Sequence, residues 1–176
     1  MAKKFIVTAY GKDRPGIVAD VTEILYEHGC NLEDTHMGKL SGDFSLMILF
    51  STPEVNDIET KLSDAYQRLK GEKQISAYIR RATAAEQKPV PPQATFTLKI
   101  EGLDHTGIVY RISRYLAFHN INIADLNSSI TYTPESGAQV YHMEVSIEVS
   151  AETDMNEVQE GLSQLAEDLH VDIIVE

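Results

Sequence analysis

The feature that most constrains this chain is an internal repeat. Gly11-Lys12-Asp13-Arg14-Pro15-Gly16-Ile17-Val18 returns as Gly102-Leu103-Asp104-His105-Thr106-Gly107-Ile108-Val109, an offset of 91 residues. The same offset pairs Phe5 with Phe96, Leu25 with Leu116, His28 with His119, Asn31 with Asn122 and Asp34 with Asp125. A period this long, present twice in 176 residues, describes a duplicated domain; a solenoid needs more copies. Between the copies, residues 82–94 centre on Lys88-Pro89-Val90-Pro91-Pro92, an extended and semi-rigid spacer. The expected division is a first domain at 1–81, a spacer at 82–94 and a second domain at 95–176, each domain large enough for one small core.

Each copy reads strand, helix, strand, strand, helix, strand. In the first, Lys4 to Tyr10 alternates Phe5, Val7 and Ala9 against Ile6, Thr8 and Tyr10, the period of a half-buried strand. Pro15 suits the first turn of a helix whose apolar stripe is Ile17, Val18, Val21, Ile24 and Leu25, with Gly29 at its end. Asn31 to Leu40 is a second strand, Ser41-Gly42-Asp43 a hairpin turn, and Phe44 to Phe50 a third strand. Pro53-Glu54 opens a second helix that Gly71 ends, and Gln74 to Arg80 is a fourth strand. The second copy places strands at Thr95–Glu101, Asn122–Tyr132, Gln139–Val149 and His170–Val175, with helices at Gly107–His119 and Glu152–Asp168. The hairpin joining its middle strands turns at Pro134-Glu135-Ser136-Gly137. The expected class is α+β: two tandem βαββαβ, ferredoxin-like domains, each a four-stranded antiparallel sheet with two helices on one face. That fold hosts many functions and decides none.

Composition narrows the choice. The net charge of −12 repels polyphosphate over most of the surface, so direct nucleic-acid binding is not expected. No apolar run is long enough to span a bilayer, and the N-terminal stretch is too short and polar for a secretory signal; the expected compartment is the cytoplasm. The single cysteine, Cys30, reads as a buried, inert thiol. The six histidines show no metal-ligand spacing, and His28 and His119 read as helix C-caps. No phosphate-binding loop or nucleophile elbow is present, and Asp104-His105 has no nucleophile beside it. No metal, cofactor or catalytic residue is expected.

The loop after the first strand is where chemistry could reside. Its architectural reading gives Gly16 and Gly107 to close helix-to-sheet packing and Gly11 and Gly102 to a backbone turn. Its functional reading starts from the helix N-terminus, whose unpaired N–H groups and partial positive charge suit a carboxylate. An aspartate just upstream suits an ammonium group. Asp13 beside the amides of Gly16 and Ile17 would then hold both charged ends of a free amino acid. Asn31 and Asn122 follow the two aspartates at the same spacing of 18 residues and offer a donor and an acceptor.

Asp13-Arg14-Pro15-Gly16-Ile17-Val18 after a first strand, then Gly29-Cys30-Asn31-Leu32-Glu33-Asp34 into a second, resembles the ACT domain. The resemblance covers both halves. Two such units alone are similar to the glycine cleavage system transcriptional repressor family. The resemblance implies amino-acid binding at the first loop and the start of the second strand. Those positions are Asp13, Arg14, Gly16, Ile17 and Asn31 in the first copy and Asp104, Gly107, Ile108 and Asn122 in the second. His105-Thr106 replaces Arg14-Pro15, a departure from the pattern. It also implies a non-enzymatic, amino-acid-sensing regulator of glycine and one-carbon gene expression. The ligand would be glycine- or serine-like, and the action would pass through a regulatory protein partner that could itself bind DNA. Open alternatives are an amino-acid-responsive subunit of a metabolic enzyme, a small enzyme using the loop aspartates, and an interaction module that has lost its ligand. The sheet face turned from the helices is apolar in the first copy (Ile6, Thr8, Tyr10, Met47, Leu49) and polar in the second (Thr97, Lys99, Glu144, Ser146, Glu148). A homodimer using the first copy's sheet is therefore expected.

Overall fold

Period-two and period-3.6 patterns alternate twice along the chain, and a computed structural model shows what they build. It describes residues 3–52, 57–83, 94–133 and 137–176. The chain divides into two compact units, Met1–Val90 and Pro91–Glu176. The first contains β1 (Lys3–Lys12), α1 (Ile17–Glu27), β2 (Asn31–Leu40), β3 (Asp43–Thr52), α2 (Ile58–Lys73) and β4 (Ser76–Arg81). The second contains β5 (Ala94–Leu103), α3 (Ile108–Phe118), β6 (Asn122–Tyr132), β7 (Gln139–Val149), α4 (Met155–Leu169) and β8 (Val171–Val175). Both sheets are antiparallel, ordered β2-β3-β1-β4 and β6-β7-β5-β8. The tandem βαββαβ architecture is as the repeat implies.

Register explains the alternation. Phe5, Val7 and Ala9 pair with Phe50, Ile48 and Leu46, and all six are buried with Val21, Leu25, Leu62 and Tyr66 of the helices. In the second unit Leu98 and Ile100 pair with Val145 and Met143 over Ile112, Leu116, Val158 and Leu162. Each fully buried aliphatic side chain contributes about 1.5–3 kcal/mol. The intervening residues form the helix-free faces, Ile6↔Leu49 and Thr8↔Met47 against Thr97↔Ser146 and Lys99↔Glu144.

A tyrosine joins the two helices of each unit, in mirrored fashion. Tyr66 Oη on α2 donates to the Val21 carbonyl of α1 at 3.2 Å, and burial pushes its phenol well above the ordinary range. Tyr115 Oη on α3 donates to the Val158 carbonyl of α4 at 3.1 Å. A charge-reversed ion pair also recurs at one offset position. Asp20 of α1 meets Lys73 of α2 at 2.5 Å, while Arg111 of α3 meets Asp168 of α4 at 3.0 Å.

Several element ends differ from expectation. Pro15 precedes α1, because Gly16 in the left-handed region (φ 88°) is the N-cap. Gly71 lies inside α2; the helix ends at Lys73 because Gln74 turns left-handed (φ 57°) and donates to the Lys70 carbonyl. β4 accordingly starts at Ser76. α4 starts at Met155, after Asp154 caps the Asn156 amide at 2.9 Å, so Glu152 is outside it. The expected helix start at Pro53-Glu54, most of the turn at Pro134-Glu135-Ser136-Gly137 and spacer residues 84–93 lie outside the described residues. At the spacer's ends, the Ala82 amide donates to the Lys4 carbonyl at 2.9 Å and Ala94 pairs with Val149.

The two glycine pairs have exchanged the roles expected of them. Gly16 and Gly107 supply the positive-φ turn, at 88° and 99°. Gly11 and Gly102 lie within β1 and β5 and permit close packing. A Cβ on Gly11 would sit 3.1 Å from the Gln74 carbonyl oxygen, and one on Gly102 2.7 Å from Val171 Cγ1.

Candidate ligand-binding site

The loop between β1 and α1 is held from three sides. The Asp13 amide donates to the Gly42 carbonyl at 2.9 Å, extending the β1–β3 ladder by one rung. The Ile17 amide bonds the Arg14 carbonyl at 3.3 Å, so this expected carboxylate donor is engaged within its own turn. Arg14 itself reaches forward to Asp20 at 2.5 Å. The Asp20 carboxyl is held below the ordinary carboxylate range, first by the bonded Lys73 ammonium, with partial burial opposing it and Arg14 assisting. Arg14, Asp20 and Lys73 thus clamp the loop to the C-terminal end of α2. No side chain caps α1. A glycine N-cap lets an external anion approach the first-turn amides.

Asp13 is mostly covered and ion-paired with Lys39 of β2 at 2.5 Å. Sequence reasoning missed this lysine, which nothing in the strand pattern marks. A ligand ammonium would displace Lys39 from Asp13. The lysine is largely exposed, so the pair is worth no more than about 1 kcal/mol and is readily replaced.

Asp13, Arg14, Gly16 and Ile17 come together at one end of the sheet, and Asn31 does not join them. Asn31 pairs with Ser51, and Ser51 with Lys4, whereas Asp13 follows the Lys12↔Asp43 pair. From Ser51, opposite Asn31, to Gly42, whose carbonyl meets the Asp13 amide, is nine residues, about 30 Å of extended strand. Asn31 is exposed and lies near the Lys4–Glu33 ion pair at a bulge between Leu32 and Asp34.

The second copy repeats this plan with different chemistry. The Asp104 amide donates to the Gln139 carbonyl at 3.2 Å, and Gly107 caps α3 without a side-chain bond. His105 replaces the arginine clamp: its Nε2 lies 2.7 Å from the Leu169 carbonyl oxygen at the end of α4. Ile130 stands at the offset equivalent of Lys39, and Asp104 has no cationic partner among the described residues. Ile108 is buried behind the loop, and Asn122, again at the far end of its sheet, donates to Glu148 at 2.7 Å.

Elsewhere, a concavity of about 750 Å³ lies on the helix-free face of the second sheet. His142 Nδ1 is 3.3 Å from Glu101, and His142 Nε2 is 2.9 Å from Thr131 Oγ1. Burial raises the Cys30 thiol above its ordinary value, as expected of an inert cysteine. His28 Nδ1 meets the Ile24 carbonyl oxygen at 2.7 Å, a C-terminal cap. Among the described residues, no group of three His, Cys, Asp or Glu could hold a metal ion, and no helix is long and apolar enough to cross a membrane.

A model described as the ACT domain matches residues 3–75. The glycine cleavage system transcriptional repressor of Escherichia coli is 27% identical over 168 residues, 94% of this chain and 85% of that protein. A UPF0237 protein from Methanopyrus kandleri is 36% identical over 63 residues, 36% of this chain and 70% of its own length. The crystal structure of a Galdieria sulphuraria protein of unknown function superposes over 100% of this chain and 98% of that one, at TM-score 0.84 and 28% identity.

Proposed function

Because the chain belongs to the ACT-domain proteins, we propose that it is a non-enzymatic regulator that senses a small amino acid. We further read its output as transcriptional control of glycine and one-carbon metabolism, exerted through a protein partner. The observation that carries the sensing role is the loop itself: a side-chain-free helix N-terminus beside an aspartate whose one cationic partner among the described residues is a displaceable surface lysine. Similarity to a glycine cleavage repressor along 94% of the chain supports the choice of pathway. The net charge of −12 supports action through a partner over direct contact with DNA.

The geometry adds a requirement. Asp13 and Asn31 stand about 30 Å apart along one sheet, so they serve a single small ligand only if two chains contribute them. In a two-fold dimer each contact is made twice, and the loop of one chain would face the β2 start of the other. The exposed Tyr10, Met47 and Tyr78 on the helix-free face of the first unit supply apolar area for such an association. The ligand ammonium would take Lys39's place on Asp13, and its carboxylate would approach the first turn of α1.

A thermal-shift screen against the twenty amino acids tests the sensing role. A ligand at 100 times its Kd adds about 2.7 kcal/mol of stability. A screen in which glycine, serine and their neighbours leave the melting temperature unmoved would remove the proposal.

A further inference from the structure

The outer face of α3 separates the two copies more sharply than the loops do. At offset-matched positions, Ala19, Glu23, Ile24 and Glu27 of α1 become Tyr110, Arg114, Tyr115 and Phe118 of α3. Helix α1 carries three acidic residues and no basic one, whereas α3 carries two arginines and, alone among the described helices, no acidic residue. Three solvated positions have thus turned aromatic or cationic within a chain of net charge −12.

These side chains form a groove. Tyr110, Tyr115, Phe118 and His119 wall it, Leu165 of α4 lines it, and it encloses about 650 Å³. Phe118 is 84% exposed and Tyr110 62%, an apolar display that solvation alone does not favour. The groove is built, because Tyr115 lies over α4 only where that helix has no side chain. A Cβ on Gly161 would fall 2.1 Å from Tyr115 Oη. A glycine inside a helix is less favourable than alanine, and here it leaves the seat that Tyr115 fills. His119 completes the wall, 4.5 Å from the Tyr115 ring and 5.3 Å from that of Phe118.

Charge identifies the occupant. Arg111 is neutralised by Asp168 at 3.0 Å. Arg114 ion-pairs with no carboxylate among the described residues. It donates to Tyr110 Oη at 2.8 Å and stands 5.9 Å from that ring. A partner supplying a carboxylate to Arg114 and apolar side chains to the groove would satisfy both features. We propose that the α3–α4 groove is a docking site for an amphipathic helical segment of another protein, one bearing apolar anchors at helical spacing and an acidic residue beside them. This deepens the regulatory reading by locating the partner surface, and rests on that reading for its purpose.

The test uses the full chain and a displayed library of helix-favouring peptides, selected without added amino acid. The selected peptides are expected to carry leucine or aromatic residues at i and i+3 or i+4 with an adjacent Asp or Glu. Their binding should fall at least tenfold with Phe118→Ser and with Arg114→Glu, both checked for native circular dichroism. Replacing the peptide's acidic residue with lysine should restore binding to Arg114→Glu. Selection of peptides without acidic residues, or affinity indifferent to both substitutions, overturns the proposal. So does dissociation of a homodimer by Phe118→Ser, which assigns the groove to a second copy, or α3-dependent binding to phosphatidylserine vesicles. The screen with free amino acids is read separately, so the sensing role and the docking surface fail independently.

Discussion

Replacing Gly102 with alanine tests the exchange of glycine roles. The new Cβ would sit 2.7 Å from Val171 Cγ1 and 3.1 Å from both the His170 carbonyl oxygen and Val171 Cα. Two of those neighbours are backbone atoms at the start of β8, so relief requires the strand to move. Overpacking of this kind costs about 1–3 kcal/mol. The lower entropy of the unfolded alanine chain offsets about 0.4–1 kcal/mol. The net expectation is a loss of about 1–2 kcal/mol, or roughly 5–10 °C in melting temperature for a unit of this size. Gly11→Ala meets one tight contact, 3.1 Å to the Gln74 carbonyl oxygen, with its other neighbours at ordinary distances. Its cost and its entropic gain should cancel to within about 0.5 kcal/mol. Two units in one chain need not unfold together, so hydrogen exchange should be read separately at Val7 and Ile48 and at Leu98 and Val145. Adding Val171→Ala to Gly102→Ala removes the shortest contact, and the pair should cost less than the sum of the singles. Equal losses from the two glycine substitutions, or strict additivity with Val171→Ala, would refute the close-packing argument.

Other consequences are as direct. Tyr66→Phe should cost about 1 kcal/mol in urea unfolding of the first unit, because it removes the hydroxyl that binds the Val21 carbonyl. Unchanged stability would mean that this bond adds nothing to the α1–α2 contact. Asp20 has a lowered folded-state value, so its stabilisation is complete above the unfolded carboxylate range, near about pH 4, and is lost as pH falls through the lower folded value. Asp20→Asn should therefore be less stable than the native chain at neutral pH, and the gap should close in acid; a gap independent of pH contradicts the linkage. Met47→Glu places a charge on the exposed helix-free face of the first sheet and should dissociate the proposed homodimer in sedimentation. A native chain that sediments as a 19.6 kDa monomer at micromolar concentration argues against the dimer itself.

Strand and helix identities were legible because both periods are clean. Phe5, Val7 and Ala9 alternate without interruption, and Val158, Leu162, Leu165 and Leu169 keep to one face. The repeat then supplied the topology twice. Helix ends were less legible. Gly71 looks like a stop signal, yet φ at Gln74 ends the helix, because a left-handed residue is tolerated where its amide still finds the Lys70 carbonyl. The glycine roles could not be assigned from spacing, since turn and close approach both call for glycine. At the loop, Asp13 and Gly16 were visible as a pattern. Lys39 was not, because it arrives through β2 pairing and carries no local signal. The separation of Asn31 from Asp13 was hidden for the same reason: their constant spacing in sequence says nothing about which end of β3 each one meets.

The central claim is one amino-acid site assembled from two chains, and mixing two variants in calorimetry tests it most directly. Asp13→Ala and Asn31→Ala should each bind glycine or serine at least tenfold more weakly than the native chain, with unchanged circular dichroism. Mixed one to one and re-associated, they should regain native affinity at about a quarter of the sites, because each hybrid dimer rebuilds one site and breaks the other twice. No recovery on mixing, or native affinity in both variants alone, contradicts the claim.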